Sequence, residues 1–288
     1  MSNPVFNRLE RDWQKNASVT KTHPYGPNGE LAQPGVQYDQ EAFRQAEAAY
    51  RGPSATAVET GRMTYDDVIV KTGLSLAVLV AGAFVSWMVT IANPSVGMVL
   101  MIAGLVIGLI LAMVNIFSKQ IRPAMVLAYS GAQGVALGAL SSLTEMVLPG
   151  VVFQAVIATV IVFGITLLLF TSGKVRNSPK LMKFTLISLL GIIGSRLLIW
   201  MLAAFGVGSM EMGAQNVTVM GLPLSVLISL FAVVIGALCL IGDFDQVKVG
   251  VESGAPAKYA WASAFGIMVT VVWLYVEILN LLSQLNSR

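Results

Sequence analysis

The chain has 288 residues, of which 56% are hydrophobic and 11% charged, against roughly 25% charged in soluble domains. With a mean hydropathy of +0.75, this composition excludes an ordinary water-soluble fold and indicates an integral membrane protein. The net charge of +3 comes without a basic stripe interleaved with aromatics, so nucleic-acid binding is excluded, and a single cysteine, Cys239, excludes an intramolecular disulfide.

Residues 1–63 read as a cytoplasmic, largely disordered tail, rich in Pro, Gly, Gln, Asn and Ala. His23-Pro-Tyr-Gly-Pro-Asn-Gly is a run of turn signals. A weak helix is expected over 39–50, where Ala, Glu and Gln favour it. The tail is either a solvated extension or a docking arm, the latter resting on Pro4-Val5-Phe6 and Leu9. His23 has no histidine or cysteine near it and is not read as a metal ligand.

Residues 64–288 read as a seven-helix transmembrane domain. It opens at Thr64-Tyr-Asp-Asp-Val, with Thr64 as N-cap and Asp66 and Asp67 as first-turn acids favoured by the helix dipole. A helix needs roughly 20 apolar residues to cross the hydrocarbon core. Seven segments qualify: 68–92, 95–117, 123–147, 151–170, 183–205, 222–242 and 259–283. Breakers separate them at Asn93-Pro94, Pro123, Pro149-Gly150, Ser178-Pro179 and Gly254-Ala-Pro256. Lys119 and Arg122 follow the second span; Lys174, Arg176, Lys180 and Lys183 follow the fourth; Lys248 and Lys258 follow the sixth. The alternate connectors lack Lys and Arg. The positive-inside rule therefore sets the N-terminus in the cytoplasm and, after seven spans, the C-terminus outside. Gly104-xxx-Gly108 and Gly134-xxx-Gly138, with Gly131, mark faces for close helix approach.

The chemistry is expected in the last two spans. The sixth apolar run arrives at Asp243 and Asp245, where a short polar turn is expected, and the seventh carries Glu277 deep within Trp273-Leu-Tyr-Val-Glu-Ile-Leu-Asn-Leu-Leu282. Carboxylates at membrane depth are costly and mark ion or proton paths or a partner charge. Asp243 and Asp245 are two apart and point to different faces of a helix; Asp243 is the inward candidate and Asp245 the rim residue. Two carboxylates facing each other would share a proton and make a pH-dependent latch. An ideal hairpin turning at Gly254 to Lys258 sets Asp243 level with a residue near Met268, leaving Glu277 roughly 12 Å deeper. A direct pair therefore needs a broken or tilted span, for which Gly242 and Gly266 are the candidates. Arg196, inside the fifth span, requires a counter-ion, Glu277 or Asp243, or else snorkels outward. Glu145 reads as interfacial, and Tyr129, Gln133 and Ser141 as hydrogen-bonding residues between helices.

Gly242-Asp-Phe-Asp-Gln-Val-Lys248 and Leu274-Tyr-Val-Glu-Ile-Leu-Asn-Leu-Leu282 resemble two patterns of the Bax-inhibitor-type transmembrane family, Tyr-Asp-x-x-Gln and Leu-Tyr-Leu-Asp-x-x-Asn-Leu. Ser2-Asn-Pro-Val-Phe6 and the polar tail are similar to its bacterial, actinobacterial-style branch. The resemblance implies a seven-helix bundle with the last helix central and a pH-sensitive calcium leak in the cytoplasmic membrane. The gating acids it implies are Asp243 and Glu277, which would also hold calcium weakly, with Asp245 and Arg196 in support. Calcium is then the transported ion, and no cofactor is implied. Glu277 stands where the family has Asp, and Gly242 where it has an aromatic. A basic latch residue is expected near the end of the second span, with Lys119 and Arg122 nearby. The resemblance also admits a non-enzymatic regulator that binds a membrane protease or a stress or cell-death partner. Intramembrane proteolysis is disfavoured: Leu240-Ile-Gly-Asp243 lacks the Gly-x-Gly-Asp signature, and His23 is the sole histidine.

Overall fold

The computed structural model describes residues 61–118, 122–173, 177–204, 218–219 and 222–287. The expectations for the tail before residue 61, and for Lys119, Lys174 and Arg176, fall outside them.

Among the described residues there are seven long helices: α1 (Tyr65–Ala92), α2 (Pro94–Phe117), α3 (Pro123–Val147), α4 (Val151–Thr171), α5 (Pro179–Ala204), α6 (Leu224–Glu252) and α7 (Ala260–Asn286). All seven are long and apolar enough to span a bilayer, and the protein is a multi-pass membrane protein. Between α5 and α6, β1 (Thr218–Val219) pairs antiparallel with β2 (Leu222–Pro223).

The helix ends follow from local chemistry. Thr64 Oγ1 accepts from the Asp67 amide while Asp67 accepts from the Thr64 amide, closing a capping box at the start of α1. Asn93 ends α1 and caps α2, its side chain accepting from Val96 N at 3.3 Å, with Pro94 in the first turn. Gly150 turns the chain into α4 at φ 86°, a left-handed conformation suited to glycine. Glu145 Oε1 and Oε2 accept there from the amides of Gly150 (2.6 Å) and Val152 (3.2 Å), so this acid caps α4.

Packing follows the small residues. A Cβ on Gly134 or Gly138 of α3 would run into the backbone of Leu79 or Ala83 on α1. A Cβ on Gly104 or Gly108 of α2 would meet Ala132 and Ala136, or Gln133, of α3. Both glycine pairs thus let helices approach at backbone distance. The span over α3 is the least apolar of the seven, with a hydropathy of 1.3, and the most buried, at 50% of its window. A helix surrounded by protein needs small, hydrogen-bonding surfaces rather than lipid-facing apolar ones. α7 packs against α6, α1, α4 and α3, which makes it the second central helix. The entry to α1 is tied to the turn before α7: Met63 N donates to Ala255 O at 2.7 Å, and Lys71 Nζ to Ala257 O at 3.0 Å.

Two expected helix bounds are corrected. α6 does not stop at Gly242 with a polar turn after Asp245; it continues to Glu252, and the turn falls at Ser253–Pro256. Val247 and Phe244 keep an apolar face buried against α4 and α7, so the helix outlasts its apolar run while Gln246, Lys248 and Glu252 ride on its exposed face. α5 likewise begins at Pro179, four residues earlier than the apolar run suggests.

Candidate functional site

A ladder of polar rungs lies between α6 and α7. In the first, Thr270 Oγ1 donates to Asp243 Oδ2 at 2.6 Å. A Cβ added to Gly266, one turn earlier on α7, would stand 3.4 Å from Asp243 Oδ1. Gly266 therefore breaks nothing; it lies beside the carboxylate on an unbroken α7. In the third rung, Gln284 Nε2 donates to Ser229 Oγ and to Asn280 Oδ1, both at 3.2 Å.

The middle rung is an ion pair. Arg196 Nη2 of α5 donates to Glu277 Oε2 at 2.7 Å. The Glu277 side chain is 1% exposed and that of Arg196 41%. Trp273, one helical turn before Glu277, adds a further electrostatic contact. Arg196 and Glu277 each lie seventeen residues from the first residue of their helix, so two helices that start on the same side of the membrane bring the charges to one depth.

The spacing explains the ladder. Ser229, Gly236 and Asp243 are seven apart on α6, and Thr270, Glu277 and Gln284 are seven apart on α7. Seven residues are close to two helical turns, so each set forms one stripe. In the antiparallel register Asp243 meets Thr270, Gly236 comes opposite Glu277, and Ser229 meets Gln284. At Gly236 a Cβ would stand 2.8 Å from Leu274 Cδ1 and 3.3 Å from Trp273 Cζ3, so glycine lets these two side chains of α7 lie directly on α6 at this level. The stripe runs for about 21 Å along α7, most of a hydrocarbon core about 30 Å thick.

Asp243 and Glu277 do not form a direct pair here. Asp243 reaches α7 at Thr270, about 10 Å along the axis from Glu277, and neither Gly242 nor Gly266 interrupts a helix. Of the two counter-ions open to Arg196, the structure selects Glu277. Asp245 stands apart from the ladder, accepting from Asn177 Nδ2 at 3.1 Å and linking α6 to the segment before α5. Arg122 lies at the start of α3, outside the ladder. Ser141 Oγ and Tyr275 OH are 2.6 Å apart and join α3 to α7, and Tyr129 stacks edge-on against Phe265. Among the described residues no group of three His, Cys, Asp or Glu side chains converges as a metal site. Thr270, Ser229 and Gln284 escaped the sequence reading; the available signal was their heptad spacing from Glu277 and Asp243.

Fold and site together define a seven-span membrane protein whose last two helices share a buried, partly charged seam. The family model described as Bax inhibitor 1 like matches residues 3–287. The chain belongs to that family, and the match takes in the N-terminal segment as well as all seven spans. No curated protein sequence matches the chain.

Proposed function

We propose that the protein is a non-enzymatic cation leak of the cytoplasmic membrane, with calcium as the ion carried and protons as its control. The observation that supports this is the ladder itself: two membrane-depth carboxylates, Asp243 and Glu277, in one seam, with a hydroxyl beside Asp243 and hydroxyl and amide oxygens beyond Glu277. Acids inside spans are costly and are retained where an ion or proton uses them. Calcium prefers six to eight oxygen ligands. The ladder presents fewer oxygens at each level, which suits weak, partly hydrated, transient binding rather than storage.

In this reading the two acids act as successive stations rather than as one latch. Arg196 occupies the Glu277 station with its own positive charge, which excludes a permeating cation from the middle rung. Opening requires that ion pair to separate, and proton occupancy of Glu277 and Asp243 sets how readily it does. The test is calcium entry into dye-loaded proteoliposomes between pH 6 and 8, comparing wild type with the Asp243→Asn/Glu277→Gln double variant. Flux that depends on pH in the wild type and loses that dependence in the variant supports the reading. An unchanged pH response, or no flux above empty vesicles from folded protein, refutes it.

A second reading, a regulator that binds a membrane protease or a stress or cell-death partner, draws on α5. Only 6% of its spanning window is buried, and it packs mainly against α6, leaving Leu186, Ile187, Leu190 and Leu197 exposed for a partner helix. Co-purification of a partner that survives deletion of residues 1–60 and is lost when these α5 positions are changed would favour it.

A further inference from the structure

α1 and α4 do not close against each other, and the space between them is a groove of about 560 Å³. α3 and α7 form its floor through Gly138, Ser141, Val272 and Tyr275. The two floor hydroxyls, Ser141 and Tyr275, are bonded to each other at 2.6 Å, and among the described residues no charged side chain lines the space. The walls open outward: Phe84 on α1 is 62% exposed and Val160 on α4 is 64% exposed. Every lining residue belongs to a span, so the medium at this mouth is bilayer hydrocarbon.

We propose that this groove binds one acyl chain of a bilayer phospholipid, drawn from the leaflet on the Asn93–Pro94 side. The length fits. The α1 lining runs from Leu76 to Met88, about 18 Å at 1.5 Å per residue, beside a leaflet about 15 Å deep. The end nearer Asn93 carries Trp87, a residue type that sits at headgroup level. Among the described residues the lining carries no charge and three hydroxyls, of which Thr159 donates to Ala155 O and the other two are bonded to each other, so the groove suits an apolar ligand better than a polar one. A vacant groove would forfeit dispersion contacts along its whole length. The bound chain lies on the face of α7 turned away from Glu277, so this site is independent of the polar ladder.

The test uses the full chain in phosphatidylcholine vesicles containing a fraction of phosphatidylcholine with a diazirine in its acyl chain. After photolysis, adducts are mapped by peptide mass spectrometry. The expected result is several-fold enrichment at Phe84, Val156 and Val160 over Ile102 and Ile110, which are equally open to lipid on α2. Val156→Trp fills the groove and should lower the adducts at Phe84 and Val160 several-fold. Ile161→Trp, outside the groove on the same helix, should leave them unchanged. Uniform labelling of groove and α2, unchanged labelling in Val156→Trp, or a co-purified peptide mapped to the groove would each overturn the proposal. If Val156→Trp does not fold, the wild-type distribution alone decides between groove binding and uniform contact.

Discussion

Replacing Arg196 by Gln removes the cation that, among the described residues, the structure sets against Glu277. The contact is a single charged hydrogen bond of 2.7 Å, with Glu277 1% exposed and Arg196 41% exposed. Breaking a fully buried pair by removing one partner costs about 3–5 kcal/mol, because the remaining charge is left uncompensated. Here the loss should fall at the lower end, about 3 kcal/mol, since the Arg196 side of the pair is already open. Glu277→Gln leaves the opposite situation, a guanidinium on a long, half-exposed stem that can turn toward water or headgroups. Its cost should be smaller, about 1–2 kcal/mol. The double variant Arg196→Gln/Glu277→Gln replaces the ion pair by two amides that can hydrogen-bond, so its loss should fall short of the two single losses together by about 2 kcal/mol. The assay is reversible unfolding in mixed micelles titrated with sodium dodecyl sulfate. Additivity within about 0.5 kcal/mol would refute the claim that the two side chains are coupled.

Thr270→Val keeps the shape of the side chain and removes the sole hydroxyl it offers to Asp243; unfolding in the same micelles should show a loss of about 1.5–3 kcal/mol, the range for hydrogen bonds to charged groups. Gly138→Ala pushes a methyl into the Ala83 backbone, whereas a Cβ at Gly131 meets its nearest neighbour, Val78 Cγ1, at 3.7 Å. Thermal unfolding in detergent should therefore show a loss of at least about 1–3 kcal/mol for Gly138→Ala and little change for Gly131→Ala. Equal effects at the two positions would refute the glycine seam as the reason α1 and α3 approach so closely.

Hydropathy by itself determined the seven spans, because the need to satisfy every backbone amide within lipid makes a long apolar run a helix. Asn93-Pro94 and Pro149-Gly150 were legible as turns for equally local reasons, a cap residue and fixed backbone angles. The glycine faces of α2 and α3 were readable too, although their partners were not. The reading went wrong where a helix outlasts its apolar run. Asp243, Asp245 and Lys248 looked like the start of a turn, yet Phe244 and Val247 stay buried as far as the last turns of α6, and the helix continues.

Which acid meets which donor was decided by tertiary structure alone. The sequence placed Asp243 and Glu277 at different depths through the rise of a helix, and that offset is present. It could not choose between Asp243 and Glu277 as the counter-ion of Arg196, because the choice depends on which side of α6 receives α5. The small cluster of Ile192 with Ala232 and Ile235 fixes that side, and the parallel course of α5 and α7 then carries Arg196 to the level of Glu277. Ser229, Thr270 and Gln284 gained meaning only when the antiparallel register of α6 and α7 set one heptad stripe against the other. Each is an ordinary polar residue in its own span, and only its opposite number makes it a rung.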